Sequence, residues 1–353
     1  MTSIGSPLVG RRLGVVGAHG AVGRETLLLL LERGVAPDQI RAFGSPRRSG
    51  ETVVIESPHG AVSVEARPLQ STADDFAGLD GVVFAADSKI AREHAPRAVR
   101  AGAFVVDNSS AFRMDPETPL AVPEIETTLG SASSSSRLFA NPNCSTILAA
   151  LALDPLHRAF ELRSVSIVTY QAISGAGQAA RDELMRSTRD VLDGRDPTAV
   201  VLSEPTAFNV FPHESPVDPD SLGCEEELKI VRELRRILQF EDLAIDPFCV
   251  RVPVERCHSQ AIRVTLAEHV ERTRVEEVLA NARGLRLELD HPPTPLRAQH
   301  QDMVLVGKVR PSLDAEIRDG RTDSFRLWLC GDQLRKGAAT NAIQVLERAL
   351  GAR

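Results

Sequence analysis

Apolar and helical patterns alternate along the first 143 residues of the chain. Short apolar runs at 13–16, 40–43, 81–85, 104–107 and 138–140 predict buried strands, and helical periodicity at 24–33 and 91–101 predicts helices among them. Because strands that alternate with helices usually build a parallel sheet, this pattern predicts a doubly wound parallel sheet of the Rossmann type.

The pattern changes after residue 143. An apolar helix is predicted over 147–156, and longer alternating runs at 165–172, 248–254, 261–266 and 303–309 predict the strands of a mixed sheet. Helical periodicity recurs over 223–238 and 337–350. We therefore predict an α/β protein, in which a doubly wound domain is followed by an α+β domain.

The composition is that of a globular protein able to bury a large core. The 353 residues are 42% hydrophobic and 25% charged, and the net charge of −7 comes from acidic and basic residues that are interspersed throughout. Without a basic patch, the chain is not expected to bind nucleic acid or an anionic membrane. Residues 1–10 lack the apolar core of a signal peptide, and no apolar run is long enough to span a bilayer, so we expect a cytoplasmic protein.

Cys144 is the most informative residue of the chain. It belongs to the segment Asn-Pro-Asn-Cys-Ser-Thr at 141–146 and stands at the start of the predicted apolar helix. The positive end of a helix favours a thiolate over a thiol, and its N–H groups can hold a developing oxyanion. Cys144 is therefore a candidate nucleophile, and the alternative is a small buried core residue. The other four cysteines are scattered, without disulfide-framework or metal-ligand spacing, so we expect a reducing compartment and no metal site.

A glycine-rich turn follows the first predicted strand. Gly17, Gly20 and Gly23 stand three residues apart, and a predicted helix follows them. Glycines let the backbone approach a pyrophosphate while the helix N-terminus supplies N–H donors, which predicts a dinucleotide site. The alternative is a plain turn, because such a motif is weak by itself.

A polar segment follows the second predicted strand. It contains Ser45, Arg47, Arg48 and Ser49 at a point where a fold that prefers NAD usually places an acidic residue. Serines and arginines suit the 2′-phosphate of NADP, so the segment favours NADP over NAD. The alternative is a solvated basic loop.

Two other strands end near polar side chains. Alternation over 248–254 places Phe248, Val250, Val252 and Val254 on one face and Arg251 on the other, where a guanidinium could bind a carboxylate. His258 follows as a candidate acid and base. Gln171 precedes a glycine turn, 173–177, that could approach a cofactor or a thioester, although a structural turn is equally compatible with the pattern.

The predicted helix 223–238 carries Glu226 and Lys229 on one face at a spacing of i, i+3. A surface ion pair explains them by composition alone. The same two groups could instead hold an amino group and a phosphate.

Together these segments resemble aspartate-semialdehyde dehydrogenase over nearly the whole chain. The matching elements are the loop 17–23, Asp-Asn-Ser-Ser-Ala-Phe-Arg at 107–113, Val-Pro-Glu at 122–124, the cysteine motif at 141–146, 171–177, Phe-Asn-Val at 208–210, 226–229, 251–259 and Leu-Arg-Lys-Gly-Ala-Ala at 334–339. An ordered set of this kind is highly specific.

The resemblance implies a reaction: reversible reductive dephosphorylation of 4-phospho-L-aspartate to L-aspartate 4-semialdehyde and phosphate with NADPH, in the biosynthesis of lysine, threonine and methionine. Cys144 would form a thioester, His258 would move the proton and Gln171 would orient the acyl group. The family also implies a homodimer or homotetramer. It further implies an NADP-binding domain over 1–143 that the C-terminal helix 332–353 completes, and a catalytic and dimerisation domain over 144–331.

The same resemblance assigns the binding residues. Arg251 would bind the substrate α-carboxylate and Glu226 its ammonium group, while Arg113 and Lys229, with Asn108 and Asn143, would bind the phosphate. The residues assigned to the cofactor are Gly17, His19, Gly20, Ala21, Val22, Gly23, Ser45, Arg47, Arg48, Ser49, Ser174, Gly175, Gly177, Gln333 and Asn341.

The chain departs from the family pattern at several positions. Glu126 and Gln333 each stand where the family usually has Asn, Cys257 replaces a Gly before His-Ser, and a usual Gly-Gly pair is missing near Asp87. The charge of Asp87 is expected near the cofactor phosphates, where it would weaken or redirect cofactor binding. These departures leave open an enzyme for another activated acyl group, or a paralogue that serves as an interaction or sensing module.

Overall fold

The computed structural model describes residues 6–45, 50–57, 60–70, 73–129 and 136–351. The chain divides into two compact units. The first consists of Met1–Asn143 and Ala338–Arg353, and the second of Cys144–Gly337.

The described residues form fourteen strands and eight α-helices. The strands are β1 (Leu13–Val16), β2 (Ile40–Gly44), β3 (Thr52–Ser57), β4 (Gly60–Pro68), β5 (Gly81–Phe84), β6 (Phe104–Asp107), β7 (Leu138–Ala140), β8 (Leu162–Gln171), β9 (Phe211–Pro212), β10 (Ala244–Arg251), β11 (His258–Glu271), β12 (Leu285–Glu288), β13 (Val304–Pro311) and β14 (Arg321–Gly331). The helices are α1 (Ala21–Glu32), α2 (Ser88–Arg100), α3 (Cys144–Phe160), α4 (Gln178–Leu192), α5 (Glu225–Leu238), α6 (Arg272–Ala280), α7 (Pro295–Ala298) and α8 (Thr340–Gly351).

The first unit is built on a seven-stranded sheet in the order β3-β4-β2-β1-β5-β6-β7. All neighbours are parallel except the β3–β4 hairpin. Strands β1, β5 and β6 are buried along their whole length, as expected for parallel strands covered on both faces. Helix α8 returns from the chain end to pack in the core of this unit through Ile343 and Leu346. The predicted doubly wound sheet is confirmed.

The second unit is built on a mixed seven-stranded sheet in the order β12-β13-β14-β11-β8-β10-β9. Strands β8 and β10 run parallel, whereas β11 is antiparallel to both β8 and β14. Helix α3 is apolar on nearly all sides and is buried over most of its length. The parallel pairing of β8 with β10 sets Gln171 beside Arg251 where both strands end. The predicted mixed sheet is confirmed, and it places two candidate site residues together.

Several element boundaries differ from the sequence prediction. Strand β10 ends at Arg251 and not at residue 254, and Phe248 lies on the more exposed side while Cys249 and Arg251 are buried. The predicted closing helix 337–350 is divided into a π-helical turn, Arg335–Ala339, and α8. The hairpin β3–β4, helix α4 and strand β14 were not predicted.

No helix in the part of the chain that the structure describes has both the length and the apolar character of a membrane span. The same part of the chain brings together no group of three His, Cys, Asp or Glu side chains able to hold a metal ion.

Candidate active site

Cys144 is the first residue of α3, as the sequence predicted. The sulfur therefore lies at the positive end of the helix, which favours the thiolate. A methyl group on Gly337 would lie 3.0 Å from Cβ of Cys144, so the absence of a side chain at Gly337 lets its backbone approach the cysteine.

His258 faces this sulfur. Its Nε2 lies 3.4 Å from Sγ of Cys144, although 114 residues separate the two in the chain. The backbone N–H of Ala172 donates a 3.0 Å hydrogen bond to Nδ1. Because Nδ1 is thus an acceptor, the proton of the neutral imidazole is on Nε2 and points toward the sulfur.

The environment keeps His258 neutral. Its side chain is fully buried, and burial, together with the nearby charge of Arg251, lowers its pKa to about 3. A neutral imidazole that carries its proton on Nε2 can donate a hydrogen bond to a thiolate at Cys144 or to an oxyanion formed beside it.

Gln171 connects two parts of the second unit. Its Nε2 donates 3.1 Å to Oγ of Ser145, the residue after the nucleophile, and 3.0 Å to Oε1 of Glu226. Glu226 is buried, and its Oε2 lies 3.8 Å from Nζ of Lys229. The predicted i, i+3 pair on α5 is therefore present and continues the polar network that begins beside Cys144.

Arg251 is buried and is engaged by Glu214, a residue that the sequence analysis did not single out. Nε and Nη2 of Arg251 donate to the two carboxylate oxygens of Glu214 at 3.2 and 3.0 Å. Partial burial raises the pKa of Glu214, but the hydrogen bonds and the charge of Arg251 outweigh that effect and hold the pKa below its ordinary value. The side chain predicted to bind a carboxylate therefore already has one internal carboxylate partner.

The glycine loop of the first unit has the close backbone packing that such a motif needs. Gly17 has a positive φ of 84°, and a methyl group there would lie 2.4 Å from the carbonyl oxygen of Ala85. A methyl group on Gly23 would lie 2.1 Å from the carbonyl oxygen of Gly17. Gly20 is the N-cap of α1 and makes no side-chain capping bond. The loop thus presents bare backbone and the N–H groups of Ala21 and Val22, an arrangement that fits a pyrophosphate.

The structure describes the surroundings of some, but not all, of the other residues assigned to the cofactor. His19 lies against Gly44, and its Nε2 is 3.8 Å from Glu51. Ser45 is exposed just after β2. The predictions on Arg47, Arg48 and Ser49 lie outside the described residues. Asn341 is fully buried, and its Nδ2 donates to the oxygen atoms of Asn141 and Ala121 at 2.7 and 2.8 Å, so its contact with a cofactor stays a prediction.

Asp87 has a structural role. Its carboxylate caps α2, accepting hydrogen bonds from the N–H groups of Lys89 and Ile90 at 2.9 and 3.0 Å. The positive end of α2 therefore offsets the charge that the sequence analysis expected to weaken cofactor binding.

Asn108 and Arg113 are brought together in the first unit. The guanidinium of Arg113 donates to the carbonyl oxygens of Asn141 and Asn108 at 2.9 and 2.8 Å. The side chain of Asn141 also donates to Oδ1 of Asn108 at 2.9 Å. Asn143 is buried two residues further along the chain. These backbone contacts fix Arg113, one of the predicted phosphate ligands, at the ends of β6 and β7.

The turn Ile173–Ala176 and the residue before His258 are joined by one side chain. Oε1 of Gln333 accepts a 2.7 Å hydrogen bond from the N–H of Cys257, and its Nε2 donates to Oγ of Ser174. Cys257 has a positive φ of 78°, a conformation that glycine adopts without strain. Gly177 caps α4 with a φ of 95°. Two departures from the family pattern, Cys257 and Gln333, are therefore in contact.

Glu214 and Asn141 belong to these networks but were not predicted from the sequence. Glu214 lies in a loop between β9 and α5, and its contact spans 37 residues, so no local spacing identifies it. Asn141 belongs to the cysteine motif itself, where a buried amide before the nucleophile was a usable signal.

Two family models match the chain. Residues 12–130 match the semialdehyde dehydrogenase NAD binding domain, and residues 153–336 match the semialdehyde dehydrogenase dimerisation domain. Together they cover most of the sequence.

Named relatives and a solved structure agree with these matches. The aspartate-semialdehyde dehydrogenase of Synechocystis is 40% identical over 341 residues, which cover 95% of this chain and 96% of the relative, and that of Aquifex aeolicus is 34% identical over 345 residues, 96% and 98% of the two chains. A crystal structure of aspartate semialdehyde dehydrogenase II from Vibrio cholerae, complexed with ASA, has a TM-score of 0.87 and 33% identity and covers 96% of this chain and 97% of its own. This chain therefore belongs to the aspartate-semialdehyde dehydrogenase family.

Proposed function

We propose that this chain catalyses the NADPH-dependent reductive dephosphorylation of 4-phospho-L-aspartate to L-aspartate 4-semialdehyde, a reversible step toward lysine, threonine and methionine. The observation that carries the proposal is the 3.4 Å approach of Cys144 and His258 at the N-terminus of α3, in a chain of this family. The buried carboxylate of Glu226 and the guanidinium of Arg251 support an α-amino acid as substrate.

The chemistry begins at Cys144. Its thiolate attacks the acyl phosphate carbon, the C–O bond to phosphate breaks, and a thioester forms while the departing phosphate takes up one proton. NADPH, when bound, supplies the hydride that reduces this thioester. Collapse of the resulting hemithioacetal oxyanion breaks the C–S bond, releases the aldehyde and restores the thiolate.

His258 would act on the charges that develop in these steps. Its Nε2–H donates toward the sulfur in the resting state. When the negative charge moves to the substrate oxygen, the same N–H would donate a hydrogen bond to that oxygen. Gln171 donates hydrogen bonds to Ser145 and Glu226. Through these two bonds it would keep both residues in position beside the acyl group. Arg113, Lys229, Asn108 and Asn143 are the proposed phosphate ligands.

The nicotinamide cofactor is proposed to be NADP. The bare backbone of Gly17, Gly20 and Gly23 suits its pyrophosphate, and Ser45 with Arg47 and Arg48 suits the 2′-phosphate. The first unit is the proposed cofactor domain, with α8 as its last element. The second unit is proposed to mediate a homodimer or homotetramer, supported by its match to a dimerisation domain. We further propose a cytoplasmic location.

The testing experiment follows NADP reduction by L-aspartate 4-semialdehyde in the presence of phosphate or arsenate. The wild type is expected to turn over, to prefer NADP over NAD, and to lose activity in the Cys144→Ser variant. An acyl-CoA substrate serves as the comparison, because preference for it would indicate another activated acyl group. No turnover with either cofactor would contradict the proposed function.

A further inference from the structure

The guanidinium of Arg251 has two usable edges, and Glu214 occupies one of them. The carboxylate contacts Nε and Nη2 at 3.2 and 3.0 Å, which is a side-on, bidentate arrangement. Nη1 makes no hydrogen bond to any residue that the structure describes. The edge formed by Nη1 and the second hydrogen of Nη2 therefore remains for another carboxylate.

The open edge faces the catalytic pair. A methyl group placed on Gly175 would lie 3.6 Å from Nη1 of Arg251 and 3.5 Å from Nε2 of His258. Nη1 of Arg251 and Nε2 of His258 therefore both lie close to Gly175, which places no side chain between them. A substrate bound covalently to Cys144 would lie on this side of Arg251, because Sγ of Cys144 is 3.4 Å from Nε2 of His258.

The residues on either side of Glu214 in the chain are both held by hydrogen bonds. The N–H of His213 donates 2.9 Å to the carbonyl oxygen of Cys249 on β10, and Oγ of Ser215 accepts a 3.1 Å hydrogen bond from the N–H of Glu226 at the start of α5. Ser215 also contacts Nδ1 of His213 at 3.1 Å. The loop is therefore anchored to β10 and to α5, the two elements that carry Arg251 and Glu226.

We propose that Glu214 is a positioning residue for substrate recognition: its carboxylate fixes the Nε–Nη2 edge of Arg251 so that the Nη1 side binds the α-carboxylate of the substrate. This inference rests on the proposed function. Without Glu214, the arginine would keep its charge but lose the contact that orients it, and the free energy gained from the substrate carboxylate would fall in the ground state and the transition state alike.

The test compares Glu214→Ala and Glu214→Gln with the wild type, using L-aspartate 4-semialdehyde and 3-aminopropanal, which lacks the α-carboxylate. We expect Glu214→Ala to raise KM for the semialdehyde about tenfold or more, with kcat changed less than about threefold. Glu214→Gln, which keeps one acceptor oxygen, should lie between. With 3-aminopropanal the variants and the wild type should be equally slow, because no carboxylate is present to be bound.

Glu316→Gln is the matched control. Glu316 forms the same kind of bidentate pair with Arg318, at 2.7 and 2.8 Å, but both side chains are exposed. This control should leave both substrates unaffected. Glu214→Gln also guards against a folding failure in Glu214→Ala, since an unpaired buried arginine is destabilising.

Three outcomes would overturn the inference while leaving the proposed function intact. An unchanged KM for both variants would show that Arg251 needs no partner. A lowered KM would show that Glu214 competes with the substrate for the guanidinium. An equal loss of kcat/KM with both substrates would indicate that the substitution disturbs the structure and not the binding of the carboxylate. Absence of wild-type turnover with the semialdehyde would instead contradict the proposed function itself.

Discussion

The backbone N–H of Cys257 donates a 2.7 Å hydrogen bond to Oε1 of Gln333, and both residues are buried. The other end of the same amide donates to Oγ of Ser174. One side chain thus ties the residue before His258 to the turn that contains Gly175. This contact holds the two segments that flank the candidate active site.

Gln333→Ala should therefore destabilise the protein, because it leaves a buried N–H at Cys257 without its acceptor. We expect the free energy of unfolding to fall by about 1–3 kcal/mol in denaturant titrations. Gln333→Asn, shorter by one methylene group, should lose at least one of the two bonds and show part of the effect. Gln299→Ala, at an exposed position, is the control. Equal stability of Gln333→Ala and the wild type would contradict the assigned role.

The sequence could identify Cys257 and Gln333 as departures from a family pattern, but not that they meet. They lie 76 residues apart, and their contact depends on the pairing of β11 with β14, a strand that the pattern did not predict. The contact between Glu214 and Arg251 could not be predicted for a different reason: Glu214 lies in a loop, where no periodic pattern indicates which residues approach each other.

Local sequence patterns predicted the bounds of strands that are buried over most of their length. The bounds of β1, β6 and β7 agree with the prediction because these strands are short apolar runs between polar segments. The hairpin β3–β4 was missed because its alternating burial is not matched by alternating polarity: Val54 of β3 is apolar but exposed, and the small residues Gly60 and Ala61 are exposed at the start of β4. Helix α4 was missed because most of its residues are polar.

Cys144 should be the most reactive thiol of the chain. Burial raises the pKa of Cys249 and Cys257 far above the ordinary value of a thiol and that of Cys330 to about 11. Cys224 also lies at a helix N-terminus but is buried, whereas Cys144 is half-buried and more accessible. Limited treatment with iodoacetamide at neutral pH should modify Cys144 first, and turnover should fall in proportion to the fraction of Cys144 that is modified. Peptide mass spectrometry checks the site, with Cys144→Ser as the unlabelled control. Full activity after modification of Cys144 would refute its role as nucleophile.

His258 should make the folded state sensitive to acid. Its folded pKa of about 3 lies below the unfolded value of 6.5, so the unfolded chain binds the extra proton first as pH falls. Its contribution to stability is complete above pH 6.5 and is lost progressively toward pH 3.

His258→Asn keeps an acceptor for the N–H of Ala172 but cannot titrate. The difference in unfolding free energy between wild type and variant should shrink by about 2 kcal/mol from about pH 7 to about pH 5. Urea titrations at several pH values measure it, and subtracting the variant removes the contribution of the other histidines. A constant difference would mean that His258 has the same pKa in the folded and the unfolded chain.

Gly23 should be the least replaceable glycine of the cofactor loop. A methyl group there would lie 2.1 Å from the carbonyl oxygen of Gly17, whereas one on Gly20 would lie 3.3 Å from the same atom. The first distance requires the backbone of the loop to move, and the second requires only a small shift.

Because the loop and the first turn of α1 present the N–H groups proposed to bind the pyrophosphate, Gly23→Ala should weaken NADPH binding at least tenfold, and Gly20→Ala should do so less. Titration of NADPH fluorescence measures both. Tighter or unchanged binding in Gly23→Ala would place the pyrophosphate elsewhere, and thermal unfolding of the same variants would separate a lost ligand contact from a destabilised first unit.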